Sequence, residues 1–221
     1  MTRTPSRPRR VLRRWWRALL AAPSGEDHDR LWADVRARQP RFSTAIVADA
    51  RITAARRGDR FEFGSPAEAA VHILRLAIVT DSFLAQCCYR AKVGCQARRI
   101  PLIPRILHRL AMITGQIVIG DPVIVQPGVY IPHGQVVLDG FTEVGAGAVL
   151  MPFVTLGLRP PDYRGPTVGA RAEIGTGAKV LGPVRIGDRA KIGANAVVLD
   201  DVPARATAVG IPARIVSALV P

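Results

Sequence analysis

The sequence predicts a mainly β fold, a left-handed parallel β-helix of six-residue repeats preceded by an α-helical N-terminal region. Three observations predict it. Aliphatic residues recur every six positions through the second half of the chain. A glycine commonly follows the aliphatic residue. The 221-residue chain is 48% hydrophobic but only 5% aromatic. That composition suits a coil filled by Val, Ile, Leu and Ala better than a sandwich or a doubly wound sheet.

The series runs Ile113, Ile119, Val125, Ile131. After one extra residue it resumes as Leu138, Val144, Leu150, Leu156, and after a gap as Val168, Ile174, Val180, Ile186, Ile192, Val198. Gly120, Gly145, Gly157, Gly169, Gly175, Gly187 and Gly193 follow their aliphatic residues directly. Neither a 3.6-residue nor a 2-residue period generates this spacing, and a fixed longer period signals a solenoid. Each hexad makes a short strand and a corner, and three hexads close one triangular coil. The aliphatic side chain points inward onto its counterpart in the next coil, and parallel pairing between coils satisfies the backbone. The step of twelve from Leu156 to Val168 includes Gly157, Pro160, Pro161, Gly165 and Pro166. They predict a loop over 157–167 thrown out from the coil, and loops on rigid scaffolds commonly carry binding.

Before residue 113 the pattern is helical. The expected organisation is a basic N-terminal tail over 1–25, a helical region over 26–112, the coil over 113–216 and a short C-terminal tail over 217–221. Ser65, Pro66 and Glu68 spell a helix start: an N-cap hydroxyl, a proline at the first position and a glutamate three after the cap. Pro101 and Pro104 break the next stretch, and Ile106 to Ile113 resumes helically.

The net charge is +14, which points to an anionic partner: nucleic acid, an anionic membrane or a phosphorylated small molecule. Much of the excess lies in Arg7, Arg9, Arg10, Arg13, Arg14 and Arg17, beside Trp15 and Trp16. This tail reads chiefly as a solvated segment and also suits contact with a membrane surface. No nucleic-acid-reading motif accompanies it. Val11 to Ala22 has the charge order of a signal peptide, but Arg13, Arg14 and Arg17 interrupt its apolar part. No apolar run reaches the roughly 18 residues of a membrane span. Cys87, Cys88 and Cys95 are odd in number and lack a histidine at ligand spacing. They read as helix packing in a reducing, cytoplasmic protein.

Residues 113–216 resemble the serine O-acetyltransferase family of hexapeptide acyltransferases. The resemblance is carried by Ile131-Pro132-His133-Gly134, Val154-Thr155-Leu156-Gly157, Ile174 to Gly182, Ala190 to Ala194 and Gly210 to Val216. Leu107-His108-Arg109-Leu110 and Thr114-Gly115 look like the family's lead-in to the coil. The resemblance implies a homotrimer or a dimer of trimers with active sites between neighbouring coils. It also implies acetyl-CoA or another acyl-CoA as co-substrate with no tightly bound cofactor, and a hydroxyl, or an amine, of a small-molecule acceptor. His133 falls on the family's catalytic base, and it is the only histidine of the coil. General-base attack on a thioester needs a group that exchanges its proton near neutral pH, and imidazole does so.

The same resemblance places the donor along Thr176 and Ala194, with Gly157 near the thioester and Lys179, Lys191 and Arg214 toward the nucleotide phosphates. Arg164 and Asp139 are the acceptor-side candidates. The sequence also departs from the family. Val118 stands where an aspartate orients the histidine, which leaves Asp121, Asp139 and Glu143 as stand-ins. Pro132 and Gly165 replace two polar groups of the serine pocket, so an altered acceptor is expected. Val118 and Pro132 motivate the alternative, a catalytically silent trimeric scaffold or regulatory paralogue that binds another protein. One histidine in the coil excludes the three-histidine zinc site of the carbonic anhydrases that share this coil, so no metal is expected.

Overall fold

The computed structural model describes residues 26–218. The basic tail expected over 1–25 lies outside the described residues, as do residues 219–221. The chain forms two units, Met1–Asp34 and Val35–Pro221. Of the first, residues 26–34 are described, and they open helix α1 (Glu26–Arg38). The second carries α2 (Phe42–Arg57), α3 (Pro66–Val79), α4 (Phe83–Ala97) and α5 (Ile103–Gly115), followed by the coil. The cap of α3 is as the sequence predicts: the Glu68 N–H donates to Ser65 Oγ at 3.1 Å, with Pro66 in the first turn.

The coil is a left-handed β-helix with three faces. Face A stacks β1 (Ile117–Ile119), β3 (Val136–Leu138), β6 (Thr155–Gly157), β9 (Lys179–Leu181) and β12 (Val197–Val198). Face B stacks β2 (Ile124–Val125), β4 (Phe141–Val144), β7 (Arg164–Val168) and β10 (Arg185–Ile186). Face C stacks β5 (Val149–Leu150), β8 (Glu173–Ile174), β11 (Lys191–Ile192) and β13 (Ala206–Gly210), and β14 (Ala213–Ala218) closes it antiparallel to β13. The remaining pairs are parallel, and Leu138, Leu156, Val180 and Val198 lie in register down face A. Every aliphatic residue of the series from Ile119 to Val198 is buried.

Two expected boundaries move. Ile113 does not open the coil. It is 77% exposed on α5, which runs to Gly115, and the coil starts at Ile117. The loop expected over 157–167 is shorter. Gly157 ends β6, and Arg164 already begins β7, leaving residues 158–163 as the excursion. Gly165 is why that strand can form: a Cβ there would meet Thr142 Oγ1 at 1.9 Å and the Asp139 carbonyl at 2.9 Å.

A solenoid has an open first coil. In the second coil the carbonyls of Leu138 and Val144 accept from the coil before, from Gly120 N–H and Gln126 N–H. The first coil has no such neighbour. Side chains of α4 take that place. Lys92 Nζ donates to the Ile119 carbonyl at 2.7 Å, Arg90 Nη1 to Val125 at 2.5 Å, and Ser82 Oγ to Ile131. Tyr89 and Gln86 serve the intervening carbonyls of Val123 and Val129. The helix thus caps the edge with side-chain donors. Arg90 also holds Asp49 of α2 through two bonds, and Asp49 accepts from Gly128 N–H at 2.8 Å. Burial pushes the Asp49 carboxyl up against the pull of Arg90.

The three cysteines are free thiols on α4, Cys88 buried and the others half-buried. Burial pushes the Cys87 thiol up to about 12, consistent with packing rather than reactivity. Among the described residues no group of histidine, cysteine and carboxylate side chains is arranged to hold a metal. Nor is any described helix long and apolar enough to cross a membrane.

Candidate active site

The extra residue between Ile131 and Leu138 lies in the corner joining face C to face A, and His133 sits on it. Three contacts fix this corner. Ser82 bonds the Ile131 carbonyl. Gln135 N–H donates to the Gly115 carbonyl at 3.2 Å. Gly134 lies so close to the end of α5 that a Cβ would fall 1.7 Å from the Gly115 oxygen. Gly115 is itself pressed on α4, where its Cβ would meet that of Ala85 at 2.8 Å.

This packing brings the turn between α3 and α4 beside the imidazole. His133 Nδ1 lies 2.9 Å from Asp81 Oδ2. Asp81 immediately precedes Ser82, so the residue that anchors α4 to the corner also delivers the carboxylate. The stand-ins named from the sequence do not reach His133. Asp121 bonds Lys92 at 3.0 Å. Asp139 lies at the opposite end of β3, with its Oδ1 under Gly120. Glu143 is on face B, bonded to Gln126 and Arg38. Asp81 escapes a sequence reading because it lies 52 residues upstream, outside the repeat. The only local hint is a carboxylate just ahead of a helix N-terminus, where a negative charge is favoured.

The candidate residues fall into two groups. The corner between faces C and A carries His133, and the same corner in later coils carries Thr176 and Ala194, both exposed. Lys179 starts the adjoining strand, and its Nζ donates to the Phe153 carbonyl at 2.6 Å. Exposed Phe153 lies on this corner between His133 and Thr176. Lys191 leads into the corner from face C and pairs with Glu173 at 3.6 Å. Arg214 lies on β14, 3.8 Å from Asp200.

The second group sits at the other end of face A. Gly157 ends β6, Asp139 follows β3, and Arg164 follows the 158–163 excursion. Arg164 makes a fork with Asp162, with bonds of 2.6–3.0 Å, and this guanidinium holds the Asp162 carboxyl below the usual carboxylate range. Within one chain, therefore, His133 and Arg164 are separated by the width of a face, on the order of 15 Å at about 3.3 Å per residue.

Residues 165–200 match the family model for the bacterial transferase hexapeptide (six repeats). The chain is 41% identical over 133 residues to a serine acetyltransferase of Helicobacter pylori, covering 59% of this chain and 78% of that protein. It is 36% identical over 151 residues to a serine acetyltransferase of Synechococcus elongatus, covering 67% of this chain but 62% of that relative's length. Soybean serine acetyltransferase complexed with serine superposes with a TM-score of 0.64 at 30% identity, covering 84% of this chain and 74% of that one. On the extent and identity of these matches, the chain belongs to the serine acetyltransferase family.

Proposed function

We propose that this protein transfers an acetyl group from acetyl-CoA to the hydroxyl of a small acceptor, with His133 as general base and Asp81 as its positioning residue. The observation that carries this reading is the 2.9 Å contact between Asp81 and His133 on the corner that also bears Thr176 and Ala194. Nδ1–H donates to the Asp81 carboxylate, which fixes the tautomer and leaves Nε2 as the acceptor. Nε2 takes the proton as the acceptor oxygen attacks the thioester carbonyl. The tetrahedral adduct then expels the CoA sulfur, which recovers the proton from the imidazolium. The donor runs along the corner past Thr176 and Ala194, with Lys179, Lys191 and Arg214 toward its phosphates. The names of the relatives support this chemistry, and the serine held by the soybean enzyme supports a hydroxyl acceptor.

The complete site includes a neighbouring copy, in a trimer or a multiple of it. The side chain of His133 is 61% exposed and Asp81's is 75% exposed in the single chain, whereas base catalysis profits from an enclosed, dry site. A neighbour's corner between faces A and B supplies cover together with Gly157, Asp139 and Arg164. Gly157 N–H then faces the developing oxyanion. Pro132 and Gly165 offer no side-chain polar group for an amino acid, so the preferred acceptor is a hydroxyl compound other than free serine.

Val118 and Pro132 motivate the scaffold alternative, and Asp81 answers the first of them by bringing a carboxylate to His133 from another element. The test is CoA thiol release from acetyl-CoA over a panel of acceptors that includes serine. His133→Ala is expected to lower kcat by about 10²–10⁴-fold. Asp81→Asn is expected to lower kcat by at least about tenfold with acetyl-CoA KM little changed. Full activity in His133→Ala would remove the mechanism, and acetyl-CoA binding without turnover on any acceptor would favour the scaffold.

A further inference from the structure

We propose that the cleft between α5 and the first corner of faces A and B is a binding site for a small phosphate ester, separate from the acetyl-transfer site. The cleft has a volume of about 410 Å³, within the usual range for small-molecule pockets of about 300–1,000 Å³. Its walls are Arg105, His108 and Arg109 of α5, Gln96 of α4, and Gly120 and Asp121 of the coil. Positions 105, 108 and 109 share one helical face, so the three side chains converge.

The charges sort themselves. Lys92 and Asp121 neutralise each other at 3.0 Å, and the Lys92 ammonium is spent on this bond and on the Ile119 carbonyl. Burial, with Lys92 and Arg109 nearby, holds His108 below its ordinary value of 6.5, so it presents a neutral N–H at neutral pH. Arg105 and Arg109 remain. Among the described residues neither has an ion-pair partner. The Gln96 amide donates to Asp121, and two guanidinium groups one turn apart with an imidazole between match a divalent oxyanion bearing several acceptor oxygens.

The phosphate could belong to a metabolite or to CoA itself, and the experiment separates the two. Inorganic phosphate and glycerol phosphate are titrated calorimetrically into the full chain in low-salt chloride buffer, with CoA at saturation to fill the donor site. Saturable binding is expected. In Arg105→Gln/Arg109→Gln it weakens at least tenfold, while CoA affinity measured separately stays within twofold. Arg109→Gln alone loses at least threefold and serves if the double variant folds poorly. Arg185→Gln, an exposed arginine on face B, stays within twofold. Absence of saturable binding, or binding untouched by the double variant, would overturn the site. A parallel loss of CoA affinity would overturn its separateness and assign the cleft to the donor.

Discussion

At the scale of single residues, the catalytic corner depends on an absent side chain. Gly134 meets the Gly115 carbonyl so closely that any Cβ must push α5 away from His133. Gly134→Ala is expected to cost about 2–4 kcal/mol, the range of severe overpacking, and to lower activity further by shifting the imidazole from Asp81. Thermal melts and kcat measure the two effects. Gly58→Ala is the control. A Cβ there meets nothing within 4 Å, and only its left-handed φ of 76° is strained, worth about 1 kcal/mol. His133 was legible in the sequence because it sits in a local motif at a break in the repeat. Its partner was not, because a carboxylate on a helical turn becomes a neighbour only through packing. The carboxylates that the repeat itself offers, Asp121, Asp139 and Glu143, each have other partners or positions.

At the scale of elements, α4 acts on the coil through polar side chains. Lys92→Met keeps the length of the side chain and removes the donor to Ile119. The expected loss is about 1–3 kcal/mol, that of a buried carbonyl left without a partner, read from the denaturant midpoint. The variant also tests a pH effect. Burial lowers the Lys92 pKa from 10.5, so between that lowered value and about 10 the unfolded chain binds more protons than the folded one. Stability therefore rises with pH across this window, and Lys92→Met flattens the rise. Tyr89, pushed up to about 12 by burial, adds the opposite slope only above its ordinary value of 10.0.

Elements were legible where one period governs and misjudged where two overlap. Ile113 fits the six-residue series, yet with Ile106 and Leu110 it also fits the spacing of an amphipathic helix, and the helix prevails. The prolines and glycines of the loop hid β7, because Gly165 reads as a breaker until its contact with Thr142 is seen.

At the scale of the whole molecule, the two residue groups at opposite ends of face A give the proposed assembly a direct test. His133→Ala and Arg164→Ala each remove one half of the site. Mixed and reassembled, the two inactive chains are expected to regain a measurable fraction of activity, because some boundaries then pair an intact His133 with an intact Arg164. Native mass measurement should show multiples of three. A mixture as inactive as its parents would place both halves in one chain and discard the shared site. The stacked coil itself was the most legible feature, since a repeat announces itself in any single copy of the chain. The relation between copies was implied only by resemblance, because nothing in a repeat records what its outer faces touch.

The side-chain cap on the first coil and the β13–β14 hairpin on the last divide the solenoid into two finished ends and an interior of interchangeable turns. Leu138 to Leu156 and Val180 to Val198 each advance one turn in eighteen residues, while the 158–163 excursion lengthens the turn between them by six. Lineages of this chain are therefore free to gain or shed material in whole-turn quanta, or as outgrowths at a corner. An insertion of a single residue within a strand would turn inward-facing groups outward.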